Sequence, residues 1–403
     1  MTLTSTGSDG LGTPSIALPL VALSDQAEPS LETVTRATTS RVMHVINGEH
    51  FSGAERVQDH LARELPPLGV AVEFACVKPD RFPAMRTSTV PLHDVGMRHK
   101  FDLKAVRNLV QIAREREIDL LHAHTPRSAM IAARAARRLG IPFVFHVHSP
   151  TSRDSTRWLT NWCNHAIEWW SIRQADAIVT VSDTLREHTI ASGIAADRVS
   201  VVANGVPRRA PVARSILAAP TVTLGSIALF RPRKGTEVLL EALLRLRQRG
   251  HDVRLRAIGG FETEEYGESL RAKAAELGVT EHVDWTGFTR DVDAALESID
   301  MFVLPSLFGE GMPMVVLEAM AAGLPVVATK VEGVPQVITD GVHGRLAEPA
   351  SVDSLCEVLE SLIVDRAAAR DLGGQGRERQ RQCFSDRSMA EGVAEVYRRV
   401  LEL

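Results

Sequence analysis

Residues 300–329 read DMFVLPSLFGEGMPMVVLEAMAAGLPVVAT, a strand, a turn, a helix and a second strand in one stretch. Asp300–Pro305 is a short apolar run closed by a proline, the pattern of a strand buried on both faces. The Gly-rich residues after it break the strand. A helix follows over Met314–Ala322, with Pro313 at the expected first helical position, where its missing N–H costs nothing. Gly323 is placed to end the helix, and Pro325 lies just beyond it. Pro325–Thr329 returns as the next strand.

The same alternation runs outward from this unit. Val222–Leu229, Val253–Ile258 and Val283–Trp285 read as strands, with helices at Thr236–Arg249 and Glu268–Leu277. A separate series nearer the N-terminus places strands at Arg41–Ile46, Val70–Val77, Ile118–His122, Phe143–His148, Ala177–Val181 and Val199–Val202. Helices at Ala54–Leu65, Leu103–Arg116 and Arg127–Leu139 lie between them. Such alternation builds parallel sheets covered by helices on both faces, an α/β doubly wound class. Pro207, Pro211 and Pro220 punctuate the segment between the two series, which reads as a linker.

The predicted organisation is a disordered tail over 1–38, a first domain over 39–207, a linker over 208–220 and a second domain over 221–384. A terminal helix over 385–403 puts Met389, Val393, Val396 and Val400 on one face. Open α/β sheets bind ligands beyond the carboxyl ends of their strands. Two such domains facing each other therefore predict a ligand cleft between them.

Bulk properties narrow the function. The chain has 403 residues, 44% of them hydrophobic and 24% charged, with a formal net charge of -4. That balance is globular and lacks the basic excess of a nucleic-acid binder. Cys76, Cys163, Cys356 and Cys383 are far apart, so they form no C-x-x-C spacing and are expected as free thiols in a reducing compartment. No apolar run approaches the ~20 residues of a spanning helix. Ile16–Leu23 contains Pro19 and has no Lys or Arg before it, unlike a secretory signal. The expected location is cytoplasmic, with peripheral attachment at the inner face of the plasma membrane as an alternative. No G-x-G-x-x-G follows the first strand of either domain, which counts against a dinucleotide dehydrogenase.

Chemistry concentrates in the turn ahead of Met314. The backbone N–H groups of Gly311, Met312 and Met314 are expected as free donors at a positive helix end, suited to phosphate or sugar oxygens. Glu310 precedes the helix and Glu318 lies about one turn into it, each able to accept hydroxyl hydrogen bonds. This Glu-x7-Glu pair, inside GEGMPMVVLEAMAAGLPVVAT, resembles the signature of glycosyltransferase family 4. The resemblance spans about residues 41–385. It implies the GT-B fold and a nucleotide-diphosphate-sugar donor, UDP- or GDP-linked. It also implies that Glu310 contacts the transferred sugar, that Glu318 holds the nucleotide ribose, and that neither metal nor cofactor is needed.

Further residues follow from that resemblance. Phe230-Arg-Pro-Arg-Lys-Gly235 precedes a helix, and Lys234 matches the family's phosphate-binding lysine. The family's arginine falls near Leu229, where this chain has none, so Arg231 is the candidate, with Arg233 close by. In Asn47–Arg56, Gly48 and Gly53 permit close backbone approach to the donor or acceptor. His148 corresponds to the family's strand-end histidine beside the reacting carbon. Val331-Glu-Gly-Val-Pro-Gln336 resembles the family's Gly-Gly-Val-Pro-Glu loop, departing at Glu332 and Gln336.

Other clusters read more plainly. His122/His124 and His146/His148 sit two apart on strands and share a face, but no supporting carboxylates accompany them as they would a metal. Asp291-Val-Asp293 begins a helix, where acids favour the N-terminal end. Trp158, Trp162 and Trp169 fall on one helical face, either core or a patch for a lipid-linked acceptor or membrane interface.

The function expected from the resemblance is sugar transfer with retention of configuration to a glycan or lipid-linked acceptor, in exopolysaccharide or cell-surface glycan synthesis. Two alternatives share the fold. A nucleotide-sugar epimerase would form product from donor alone, and a non-catalytic scaffold would bind donor without turnover.

Overall fold

The structure is a computed structural model that describes residues 39–49, 51–97, 102–148, 169–212 and 220–402. Seven runs pair into one sheet: β1 (Ser40–Ile46), β2 (Val70–Cys76), β3 (Leu92–Asp94), β4 (Leu120–Ala123), β5 (Phe143–Val147), β6 (Ala177–Thr180) and β7 (Val199–Val201). Six more form a second sheet: β8 (Val222–Ile227), β9 (Val253–Ile258), β10 (Val283–Gly287), β11 (Met301–Leu304), β12 (Val326–Thr329) and β13 (Arg345–Ala347). All paired strands within the two sheets are parallel. The orders are β3-β2-β1-β4-β5-β6-β7 and β10-β9-β8-β11-β12-β13. Each order reverses once, between β1 and β4 and between β8 and β11. Those switch points are where a doubly wound sheet opens a crevice.

Strands β4, β5, β6, β11 and β12 are buried at every residue. Helices cover both faces, so these strands read as continuous apolar runs rather than alternating ones. The edge strands β3 and β13 are three residues each and only partly buried. They carry too few apolar residues to be read from sequence.

Two helices, Val352–Val364 and Arg366–Cys383, also lie outside the sequence reading. The second contains Gly373, Gly374 and Gly376, which look like helix breakers. The structure gives two of them a packing reason. A Cβ on Gly373 would lie 2.3 Å from the carbonyl oxygen of Gly323, and one on Gly376 would lie 2.9 Å from that of His343. These glycines let the helix close onto the segment that ends helix Met314–Ala321.

Residues 39–403 pack as one unit. The chain after β7 is stitched to the start of the last helix: Val206 N–H donates to Phe384 O at 3.0 Å, and Asp386 N–H donates to Val206 O at 3.1 Å. Helix Asp386–Val400 then lies against helix Gly53–Glu64 and β6 of the first sheet. Ser385 caps it, accepting from Ser388 N–H at 3.1 Å. The tail over 1–38 and Trp158 and Trp162 lie outside the described residues. Trp169 is exposed with the Arg173 guanidinium 4.2 Å from its ring centre.

Candidate active site

The turn over 230–235 and the turn after β11 are zipped together. Leu307 N–H donates to Arg233 O at 2.8 Å. Gly235, at φ +64°, passes so close to Pro305 that a Cβ there would lie 2.1 Å from its carbonyl oxygen. This approach delivers Lys234 to Glu310. Its Nζ donates to Oε1 at 2.5 Å, Ser306 Oγ donates to the same oxygen at 2.6 Å, and Arg233 Nη1 lies 3.5 Å away. Burial by itself raises the Glu310 carboxyl, but Lys234 and Arg233 outweigh it and hold the group below its ordinary range. Burial pushes the Lys234 ammonium down, opposed by Glu310.

Glu310 leads into helix Met314–Ala321. Pro313 has ψ 113° and is the residue before the helix, not its first turn residue, because proline fixes φ but leaves ψ free to stay extended. The N–H groups of Gly311, Met312 and Met314 have no acceptor among the described residues. Glu332, where the family loop has glycine, takes φ +27° and accepts from Gly309 N–H at 2.9 Å and Glu310 N–H at 3.1 Å. It fixes the turn that carries Glu310.

Glu318 is buried one turn further on. Arg56, from the helix after β1, forms an ion pair with it, and Arg209 Nη2 lies 3.9 Å away. Neither arginine was singled out from the sequence. The only signal was the position of Arg56 at the end of the Gly-Ala-Glu-Arg run, because the contact joins residues 262 apart.

The first sheet faces this cluster directly. Gly53 sits where a Cβ would meet Met314 Cγ at 3.7 Å, so the two helix N-termini oppose each other. A Cβ on Gly311 would lie 2.0 Å from the backbone oxygen of His148. Asn204 Nδ2 donates to Met312 O at 3.1 Å. Gln336, left without a role by the sequence, bonds Asp183 reciprocally: Oε1 accepts from its N–H at 3.1 Å and Nε2 donates to its carboxylate at 2.9 Å. The structure thus gathers Glu310, Gly311, Met312, Met314, Lys234, Glu318, Gly53 and His148 at one place between the carboxyl edges of the two sheets.

Two candidates are placed differently. The close approach that Gly48 makes is to its own domain: at φ +83°, its Cβ position lies 2.1 Å from Cys76 Sγ and 2.8 Å from Lys78 O. Packing against Cys76 and Lys78 thus accounts for a glycine at this position within its own domain. Arg231 Nη1 lies 3.7 Å from Glu262, whereas Arg233 is the arginine beside Glu310. Asp291 caps its helix through Ala294 N–H at 2.9 Å, and Asp293 pairs with Arg209.

Behind His148 lies a histidine cluster. His44, His122, His124 and His146 are buried, and two groups of three, His44/His122/His124 and His124/His146/His148, hold ring nitrogens within 4.8 Å of one another. Burial, reinforced in several cases by neighbouring imidazoles, keeps all five neutral. His44 falls to about 3, His148 to about 4, and the other three lie well below the usual value.

Two parallel sheets of dinucleotide-binding order, opposed across a charged cleft, define the GT-B architecture of glycosyltransferases. Residues 51–209 match the family described as Glycosyltransferase Family 4, and residues 216–379 match Glycosyl transferases group 1. The chain is 30% identical over 326 residues to the MMP alpha-(1->4)-mannosyltransferase of Mycolicibacterium hassiacum, covering 75% of each chain. It is 29% identical over 330 residues to the alpha-maltose-1-phosphate synthase of Mycolicibacterium smegmatis, covering 74% of this chain and 83% of that one. Anabaena Alr3699/HepE in complex with UDP and glucose has the same fold, with a TM-score of 0.78 at 21% identity over 88% of this chain and 98% of that one. Sucrose-phosphate synthase from Thermosynechococcus elongatus gives 0.75 at 18% identity, over 90% and 99% of the two chains. The chain belongs to glycosyltransferase family 4 and is a glycosyltransferase. Among its described residues, no helix is long and apolar enough to cross a membrane.

Proposed function

We propose that the protein transfers a sugar, with retention of anomeric configuration, from a UDP- or GDP-linked donor to a glycan or lipid-linked acceptor in cell-surface glycan or exopolysaccharide assembly. The observation that carries this reading is the meeting of Lys234, Glu310 and the free N–H groups of Gly311–Met314 with His148 across the cleft. Lys234, with Arg233 or Arg231 and the helix end, binds the diphosphate and stabilises its departure. Glu310 and His148 hold the sugar. Glu318 gives a carboxylate oxygen to the ribose, loosening its ion pair with Arg56. The bond from C1 to the diphosphate oxygen breaks with its electron pair leaving on the diphosphate. The acceptor oxygen bonds C1 on the same face, and its proton passes to the departing diphosphate.

The positive charge that this requires is supplied by side chains and backbone, so the reaction is proposed to proceed without a metal ion. The acids that would most resemble a metal-binding pair, Asp291 and Asp293, are engaged elsewhere. The relatives' printed activities, a mannosyltransferase and a maltose-1-phosphate synthase, support glycosyl transfer and differ in product.

The test is thermal unfolding with UDP, GDP, ADP and their sugar conjugates, with and without EDTA. A donor present at a hundredfold excess over its Kd is expected to stabilise the fold by about 2.7 kcal/mol. One nucleotide should raise the midpoint, equally with EDTA. No shift with any of them, or one abolished by EDTA, contradicts the reading.

The proposed setting is the cytoplasm, with lipid-linked acceptors met at the inner membrane face. If the tryptophans around Trp162 make that contact, wild type will co-sediment with anionic liposomes and a Trp158→Ala/Trp162→Ala variant will not. Equal, negligible sedimentation of both removes the membrane contact.

A further inference from the structure

A line of hydrogen bonds joins the cleft to the last helix. His148 Nε2 lies 3.0 Å from His124 Nδ1, and His124 Nε2 lies 3.3 Å from His44 Nδ1. His44 Nε2 lies 3.0 Å from Tyr397 Oη, which lies 2.6 Å from His122 Nδ1. His148 and His124 directly follow β5 and β4, His122 lies in β4, His44 in β1 and Tyr397 in helix Asp386–Val400, and all but His148 are buried. The chain therefore reaches 353 residues along the sequence between Tyr397 and His44 alone.

Its chemistry allows few states. A neutral imidazole has one N–H donor and one acceptor nitrogen, and a phenol has one proton. Burial keeps these imidazoles neutral and the Tyr397 phenol protonated. Each interior member can then donate in one direction only, so all four bonds point the same way. If they point toward Tyr397, His122 is left with a buried Nε2–H that has no partner. If they point toward the cleft, that nitrogen is a bare acceptor, the less costly of the two orphans. In the second arrangement His122 donates to Tyr397, Tyr397 to His44, His44 to His124, and His124 to His148 Nε2. His148 must then carry its proton on Nδ1.

We propose that Tyr397 is a positioning residue: acting through His44 and His124, it holds His148 in the Nδ1–H form, so that His148 offers a hydrogen-bond donor to the cleft. A bound metal is the rival account of the cluster. Two groups of three ring nitrogens lie close enough for one, within 4.8 Å of one another, but a metal there would have to displace hydrogen bonds that engage both nitrogens of His124 and of His44. The consequence for catalysis rests on the reading of His148 as a group that faces the donor sugar; the tautomer itself does not.

The experiment uses full-length protein with 15N-labelled histidine and long-range 1H–15N spectra, which separate the two tautomers by the shifts of their ring nitrogens. Wild type should show His148, assigned by its loss in His148→Ala, as the Nδ1–H form. Tyr397→Phe, and independently His124→Phe, should give a tautomer mixture at His148, with turnover down on the order of tenfold and donor KM little changed. An Nε2–H form in wild type, or the same tautomer in all folded variants, overturns the proposal. So does a stoichiometric metal found in the purified protein by elemental analysis and lost in His124→Phe. A changed tautomer with unchanged turnover upholds the relay and instead removes His148 from the reaction. His124→Phe keeps the test open if Tyr397→Phe does not fold.

Discussion

A Glu310→Gln enzyme is expected to turn over roughly 100- to 1,000-fold more slowly than wild type while binding its donor about as well. Glu310 is 5% exposed, and its carboxylate is ionised because Lys234 and Arg233 compensate for burial. Glutamine keeps the volume and can still accept from Ser306, so the turn it anchors should survive. What is lost is the negative charge. In the proposed reaction positive charge develops on C1 while negative charge builds on the diphosphate, so a carboxylate near the sugar stabilises the transition state more than the bound donor. Removing it also weakens the hold on Lys234, whose 2.5 Å bond then goes to a neutral oxygen. The lysine can then hold the ground-state diphosphate more firmly, which keeps donor affinity from falling. Initial rates over a donor titration separate these effects: kcat should fall and donor KM should not rise. Turnover within a fewfold of wild type would remove Glu310 from the machinery, whatever its position.

What the sequence disclosed follows physical range. The unit over 300–329 is legible because its strand, helix and turn are each set by neighbours a few residues away: an apolar run, Gly323 after the helix, Pro305 at the strand's end. Strands β3 and β13 escape because three half-buried residues carry no period. Helix Arg366–Cys383 escapes because two of its glycines are required by packing against Gly323 and His343 in space, which local propensity does not register. The site divides the same way. Glu310, Lys234 and Glu318 sit in runs with recognisable spacing, but their partners do not. Arg56 on Glu318 and Tyr397 on His44 are contacts across 262 and 353 residues. A glycine such as Gly48 permits close approach without saying what approaches, and the Cys76 contact is visible only in the fold. The choice of Arg231 rested on reach, and only the zipped turns show that Arg233 lies nearer Glu310.

The neutral histidine cluster makes acid the weak side of this fold. In the unfolded chain each imidazole titrates near 6.5. In the folded chain His44 titrates at about 3 and His148 at about 4, with His122, His124 and His146 also held well down by exclusion from water and by one another. His60, buried beside Arg63 and Arg56, falls to about 3 as well. Between those values the unfolded state binds more protons than the folded one, so stability falls as pH falls from 6.5 toward 4 and is full above 7. Each imidazole kept neutral costs about 2 kcal/mol of stability at pH 5 relative to pH 7. Several together approach the whole ~5–15 kcal/mol of an ordinary fold. Depressed carboxylates such as Glu310 and Asp59 add their loss only at lower pH, so the first fall belongs to histidine. The urea midpoint should therefore be level from pH 8 to 7 and drop steeply between 6.5 and 5. His146 offers the internal control, since neither of its nitrogens has a partner and its ring stacks on His122 at 5.5 Å. His146→Phe removes one titrating group without breaking a hydrogen bond, and should make the fall shallower while leaving the midpoint at pH 7.5 at or above wild type. A midpoint that stays level down to pH 5 would mean that water or protons reach these imidazoles in the folded protein, and the dry, neutral chain behind His148 would have to be abandoned.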